Sequence, residues 1–446
     1  MQEAPPILFN PLDPAFRIDP YPVYERLRRE APIYQPPFGG YVLSRYADCE
    51  ALLKDPRSSS DFRNSDAFRQ FIEQQGANPD EGFIGGTRPF LFLDPPDHTR
   101  LRGLVNKAFT PRTVEGLRSR IQEIVDQLLD RAEAKGSLEV VEDFAYLVPV
   151  QVICEMLGVP VKDHETFKDW SRELARSLDP EEFLPQDVLD RRQRAIDSFG
   201  EYFGGLVAEH RQHPRDDLLS ALIAAEDAGD KLTELELLAT CILLLVAGHE
   251  TTVNLIGNGT LALLRHPDQL ALLRDDPSLA RSAVEEFLRF DPPVQFTGRV
   301  ALEDIPLRDV TIPKGQQSVI LLASANRDPD VFSEPDRMAL HTIYASEAYS
   351  IGPAASHRSR RARASARCRH FRSRIGESTT CTSNDSSALR SSARRRKPSI
   401  GTTVEDPFAP ANGIAGSPRK RHSNPAAASL GACLFILTHD RVNLRA

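Results

Sequence analysis

Over most of residues 1–337, apolar positions recur at the three-to-four-residue spacing of helices packed on one face. Asp19-Pro20-Tyr21-Pro22 opens a helix through Tyr24, Leu27 and Arg28 that must end before Pro32. Residues 41–44 read as a short strand and 46–54 as a short helix. Residues 55–90 show weak periodicity and contain Gly85-Gly86, so a long loop region is expected there. Helices follow at 97–109 and 111–135, the second with a stripe of Leu117, Ile121, Ile124, Val125 and Leu128. Residues 138–141 read as a short strand, and 148–157, 163–176, 189–210 and 218–225 as helices. Thr233 followed by Glu236 is a capping-box signature. It opens a helix to Arg265 that ends at His266-Pro267 and would be about 50 Å long. A further helix over 278–290 stops at Asp291-Pro292-Pro293, and short β segments are expected around 298–300, 310–312 and 319–322. The pattern describes a mainly α fold with a small β portion.

After Arg337 the texture changes. Arg and Ser make 25 of the 63 positions in residues 338–400, and apolar periodicity disappears. Residues 338–446 hold 18 Lys and Arg against 6 Asp and Glu, whereas residues 1–337 hold 37 against 57. The chain therefore divides into an acidic body, 1–337, and an Arg/Ser/Ala-rich basic tail, 338–446, whose composition predicts disorder. The net charge of −8 gives no overall sign of nucleic-acid binding. Six scattered cysteines without a CxxC argue against a disulfide framework or zinc site and fit a reducing compartment. The N-terminus lacks a basic start and an apolar run, so no signal peptide is expected. The longest apolar stretch, 237–248, is too short for a bilayer of ~30 Å. A cytoplasmic protein with no membrane association is the expectation.

The long helix contains an interruption: Ala247-Gly248-His249-Glu250-Thr251-Thr252. A mid-helix glycine costs ~1 kcal/mol relative to alanine. Beside a carboxylate and two hydroxyls, it suggests a local opening where protons could be relayed. A plain kinked core helix is the competing interpretation. His98 and Arg102 share one face of the 97–109 helix and offer two cationic donors to a carboxylate-bearing ligand, or simply form a solvated face. Glu286 and Arg289 sit three apart, Arg299 opens a strand, and Asn326-Arg327-Asp328-Pro329 precedes Phe332 and Pro335-Asp336-Arg337.

In this order and spacing, the six-residue run from Ala247, Glu286-Phe287-Leu288-Arg289 and the stretch from Asp94 to Arg102 resemble the bacterial soluble cytochromes P450. The resemblance covers residues ~8–337. It implies haem b lodged against the long helix, with a cysteine thiolate from a C-terminal loop on the iron. It assigns Glu250 and Thr251 to proton delivery during oxygen activation. Ala247 and Gly248 would leave room for O2, and His98, Arg102 and Arg299 would hold the haem propionates. Glu286 and Arg289 would be the structural pair behind the haem, tied to the region of Arg327 and Arg337. Residues 55–90, the helices near 165–210 and residues 294–297 would line an apolar substrate pocket. The family also implies a monomer supplied with electrons from NAD(P)H through ferredoxin and ferredoxin reductase, since the chain has no flavin domain of its own.

One family element is missing. The pattern Phe-Gly-x-Gly-x-His-x-Cys-x-Gly should follow the Pro-x-Arg element by roughly 20 residues. The corresponding stretch, residues 346–353, has no cysteine, so no metal ligand can be assigned. Cys368, the nearest, lies among arginines without a glycine turn. A reading frame shifted by one base after about Met338 offers an explanation. Codon degeneracy then permits residues 345–352 to give Phe-Gly-Ser-Val-Phe-His-Trp, and 355–364 to give Leu-Ala-Ser-Leu-Glu-Ala-Arg. The expectation is a monooxygenase by descent that is inactive for lack of the axial cysteine. A non-catalytic small-molecule-binding scaffold and a basic-tail interaction protein remain the alternatives.

Overall fold

The computed structural model describes residues 9–11, 13–37, 39–75, 84–109, 111–175, 185–227 and 232–340. The basic tail from residue 341 on, including Cys368, lies outside the described residues. The helices are α1 (Pro14–Ile18), α2 (Tyr21–Glu30), α3 (Tyr46–Lys54), α4 (Asp66–Gln75), α5 (Asp97–Ala108), α6 (Pro111–Lys135) and α7 (Leu147–Met156). They continue with α8 (His164–Ala175), α9 (Gln186–Gln212), α10 (Leu218–Asp227), α11 (Glu234–Arg265), α12 (Pro267–Asp275), α13 (Ala280–Phe290) and α14 (Leu322–Ala325). The strands are β1 (Ile33–Tyr34), β2 (Tyr41–Leu43), β3 (Ser58–Ser59), β4 (Thr297–Ala301), β5 (Ile305–Leu307), β6 (Val310–Ile312) and β7 (Gln317–Ile320). One sheet has the order β1-β2-β7-β4-β3, antiparallel except for β2 beside β7, and β5-β6 form a separate hairpin.

The rod at the centre is α11. Thr233 Oγ1 accepts from the Glu236 amide at 3.2 Å, and the Glu236 carboxylate accepts from the Thr233 amide at 2.7 Å, so two otherwise unpaired donors are satisfied. Leu237, Cys241 and Leu245 are fully buried in the largest core, which also takes in Phe167 of α8 and Phe199 and Phe203 of α9. Each buried leucine contributes about 1.5–3 kcal/mol. By length and composition alone α11 could cross a bilayer, although its apolar half is packed inside the body as a core helix. Pro267 both ends α11 and begins α12, where its missing amide costs nothing. Gly259 lets α13 approach: a Cβ there would lie 2.7 Å from Cδ2 of buried Phe287.

Two expectations need correction. The strand expected at 138–141 is absent, and a π-helical turn, Val141–Ala145, starts there instead. Its cause is local, because the Glu139 carboxylate accepts from the amides of Val141 and Glu142 and turns the backbone into a helix. The region 55–90 is not all loop. It holds β3 and α4, the latter started by Ser65, whose Oγ accepts from the Phe68 amide at 3.1 Å. That cap was visible in the sequence as Ser65-Asp66, and α1, α12 and α14 were likewise not anticipated.

Candidate functional site

The segment from Ala247 to Thr252 lies in the middle of α11. The helix runs through it unbroken, so the opening expected at Gly248 does not take the form of a break. Thr251 Oγ1 donates to the Ala247 carbonyl at 2.7 Å, and Thr252 Oγ1 to the Gly248 carbonyl at 2.9 Å. These hydroxyls serve the carbonyls one turn back without requiring an opened turn. What changes here is exposure. Leu237 to Val246 are buried all round, whereas Ala247 and Asn254 are exposed and Gly248, Glu250 and Thr251 half-buried. Asn254 Nδ2 donates to Glu250 Oε1 at 3.3 Å. A helix apolar on every side thus acquires an open stretch carrying a carboxylate and a hydroxyl.

His249 points away from that stretch and is fully buried. Its Nδ1 pairs with Ser171 Oγ of α8, and its ring stands edge-on to Tyr146 at 4.3 Å. Nε2 makes no hydrogen bond of good geometry among the described residues. Burial, then the positive charge of Arg172, lowers the imidazole to about 4, against a weaker opposing pull from the Tyr146 backbone, so the ring is neutral. Burial raises the Tyr146 phenol to about 12, and Glu250 is among the charges that add to the shift. No local pattern marks this cluster, because Ser171 and His249 are 78 residues apart.

The three candidate cations are on two elements. His98 and Arg102 lie on α5, Arg299 on β4. Half-buried His98 holds the Phe90 carbonyl through Nδ1 at 2.9 Å, leaving Nε2 for another partner. Arg102 is exposed and forms no ion pair among the described residues. Arg299 donates to the Gly298 carbonyl at 2.7 Å, and burial depresses its guanidinium while Asp94 opposes that shift. Asp94 joins the two elements. Its carboxylate accepts from the Ser60 amide at 2.9 Å, from Asn64 Nδ2 at 3.3 Å and from Ser59 Oγ. Ser59 pairs with Val300 of β4. The start of α5 is therefore fixed to the strand bearing Arg299. Asp94 was part of the motif but had been given no role; an aspartate just before Pro-Pro at a helix start was the available signal. An open cleft of about 240 Å³ lies beside this junction, lined by Arg63, Arg88, Asp97 and Glu236 among others. Arg100 closes onto Glu236, linking α5 to α11.

Glu286 and Arg289 form a buried bidentate ion pair on α13. Arg289 also donates to the carbonyls of Asn326, Pro335 and Arg337 at 3.1, 2.8 and 3.2 Å. Glu286 Oε1 accepts from the Ala339 amide at 2.9 Å. Arg327 packs over Tyr21 and Phe290 and donates to the Phe290 carbonyl. The side chain of Arg337 is exposed and pairs with Glu334 at 3.3 Å, so only its carbonyl reaches Arg289. Met338 and Leu340 are buried against α11, α12 and α13.

Cys49, Cys154 and Cys241 are buried free thiols. Burial pushes all three up, Cys154 and Cys241 to about 12, so each is a protonated core residue.

The family model for cytochrome P450 matches residues 62–341. A vitamin D(3) 25-hydroxylase of Pseudonocardia autotrophica is 44% identical over 325 residues, spanning 72% of this chain and 76% of its own. A myxobacterial cytochrome P450 solved with myristic acid is 41% identical, with a TM-score of 0.66 over 74% of this chain and 81% of its own. The bacillaene polyketide synthase cytochrome P450 of Bacillus subtilis is 36% identical, with a TM-score of 0.68 over 77% and 85%.

Proposed function

The chain belongs to the cytochrome P450 family, and from that premise we propose that it descends from a haem-thiolate monooxygenase inserting one oxygen atom from O2 into an apolar small molecule. The observation carrying this reading is the open stretch of α11, where Ala247, Gly248, Glu250 and Thr251 interrupt an otherwise buried helix. That stretch supports a place for haem b, since Ala247 is exposed and Gly248 half-buried, and His98 Nε2, Arg102 and Arg299 would be the donors for its propionates. When bound, haem supplies the iron that activates oxygen. The protein's part is to hold and move protons. The Thr251 hydroxyl proton is committed to the Ala247 carbonyl, so its lone pairs are free to accept. Half-exposed Glu250 can exchange its proton with solvent and pass it along the same face. An apolar substrate agrees with the vitamin D and myristic acid named for two relatives. Electrons would come from NAD(P)H through ferredoxin and ferredoxin reductase, to a monomer in the cytoplasm.

Among the described residues none fits the axial position. All three described cysteines are protonated core thiols far from the role of a metal ligand. We attribute the loss to a reading frame displaced shortly after the body ends. Met338 and Leu340 still seat in the core as body residues, and the family match stops at 341. Sequencing the locus tests it. The expected result is a one-base displacement near codon 340 whose repair restores a cysteine loop. The repaired protein, reduced and treated with CO, should then give the red-shifted Soret band after which the family is named. An intact frame, with that band from the unrepaired chain, would overturn the reading. The alternative is a scaffold that binds apolar ligands without haem; ligand binding by the unrepaired, colourless chain would support it.

A further inference from the structure

Behind the open face of α11 lies a polar cluster that the proposed chemistry does not use. His249 is the residue immediately before Glu250. Its imidazole is sealed between Tyr146, which follows the π-helical turn Val141–Ala145, and Ser171 in the middle of α8. Both His249 and Ser171 are 0% exposed. Burying a hydroxyl and an imidazole in an apolar core is unfavourable unless they meet each other, and here they do. The imidazole still leaves Nε2 without a well-formed hydrogen bond among the described residues. An apolar side chain of the same size would avoid that cost, so packing alone does not account for a histidine here. α8 is bound on its other side to α9 by a cluster of aromatic rings, in which Phe167 meets Phe199 at 5.9 Å and Phe203 at 5.6 Å. Trp170 and Tyr202 join the same cluster. These rings pack α8 and α9 together, and Ser171–His249 is their polar attachment to the turn of α11 that bears Glu250 and Thr251. On the far side of Tyr146, Arg172 packs over its ring at 4.9 Å and pairs with Glu142 of the π-helical turn at 2.6 Å. π-Helical turns concentrate at functional positions.

We propose that His249 is a positioning residue: its contact with Ser171 transmits the position of α8 to the acid–alcohol pair Glu250–Thr251. A shift of α8–α9 relative to α11 would be felt as a change in the position of Glu250 through that contact. The proposal rests on the monooxygenase reading for its purpose, but the mechanical coupling can be measured without haem or turnover.

The test is amide hydrogen exchange on the full chain, followed at residues 164–175 and 250–254. Two variants remove the contact in different ways. Ser171→Ala deletes the hydroxyl, and His249→Phe keeps a ring against Tyr146 while deleting both nitrogens. If one fails to fold, the other carries the test. In a folded variant, exchange should rise several-fold at both segments, including in His249→Phe, whose global stability can increase because the unpaired Nε2 is gone. A rise confined to 164–175, or no rise in either segment, would overturn the coupling. Failure of the monooxygenase reading would instead show as an absence of oxygenated product from the frame-repaired chain, with the exchange result unaffected.

Discussion

Arg289 closes two parallel hydrogen bonds onto Glu286, Nε to Oε2 and Nη2 to Oε1, both at 2.8 Å, and the two side chains are only 5% and 1% exposed. The remaining donors of Arg289 hold three carbonyls from the segment that follows β7. The pair is thus a clamp between α13 and residues 326–339.

Removing one partner of such a pair leaves a buried uncompensated charge. Glu286→Ala should destabilise the body by about 3–5 kcal/mol, read from the urea midpoint. Arg337→Ala is the control. Among the described residues its exposed side chain pairs only with Glu334, so a change within about 0.5 kcal/mol is expected. Equal effects would mean that the Arg337 side chain, and not its carbonyl, takes part in the clamp.

Asp94 tests whether the three cations depend on one tether. Asp94→Ala removes the acceptor used by the Ser60 amide, Ser59 Oγ and Asn64. The exposed-to-buried balance of these groups suggests a cost of about 1–3 kcal/mol. The amide of Ser60 should lose exchange protection before those of β4 do. If Ser60 keeps its protection, α5 is held to the sheet by other contacts.

The position of His249 fixes a pH dependence. Its folded value is about 4, against 6.5 for a free imidazole, so between these pH values the unfolded chain binds a proton that the folded chain refuses. Stability is therefore complete above about pH 6.5 and falls as pH drops toward 4, by on the order of 3 kcal/mol for this group. His249→Phe should flatten that part of the stability curve. An unchanged slope between pH 6.5 and 4 would show that the ring is protonated or solvated in the folded protein.

The sequence exposed those features whose causes lie within a few residues of each other. The Thr233–Glu236 box and the Glu286–Arg289 spacing are both local, and both appear in the structure as close contacts. The proline that opens α6 and the apolar stripe behind it located that helix to the residue. The signals that failed were of two kinds. Leu138 to Val141 looked β-like in composition, but the Glu139 carboxylate overrode that preference by capping a helical turn. The Asp94–Ser59 and Ser171–His249 contacts join residues 35 and 78 apart, and no periodicity in a single chain encodes which helix faces which. The candidate cations were legible as residues, whereas the tether that relates α5 to β4 was not.

Thr251 provides the sharpest test of the proton-handling role. Its hydroxyl donates to the Ala247 carbonyl, so it can only accept from a third group, and that acceptance is what a relay ending on α11 requires. Thr251→Ala deletes the acceptor and leaves the helix favourable, since alanine is the better helix former. In the frame-repaired protein, oxygen and reductant consumption should continue while oxygenated product per O2 consumed falls by roughly ten-fold or more, within the range of a lost acid–base group. Thr251→Ser keeps a hydroxyl that can make the same bond to Ala247 and should recover most of the coupling. Thr252→Ala separates position from composition. Its hydroxyl is bound to Gly248 at 2.9 Å in the same manner, but one residue further round the helix. Coupling should survive that change. If the two alanine variants lose coupling equally, the hydroxyls act by shaping α11, and the relay does not run through Thr251.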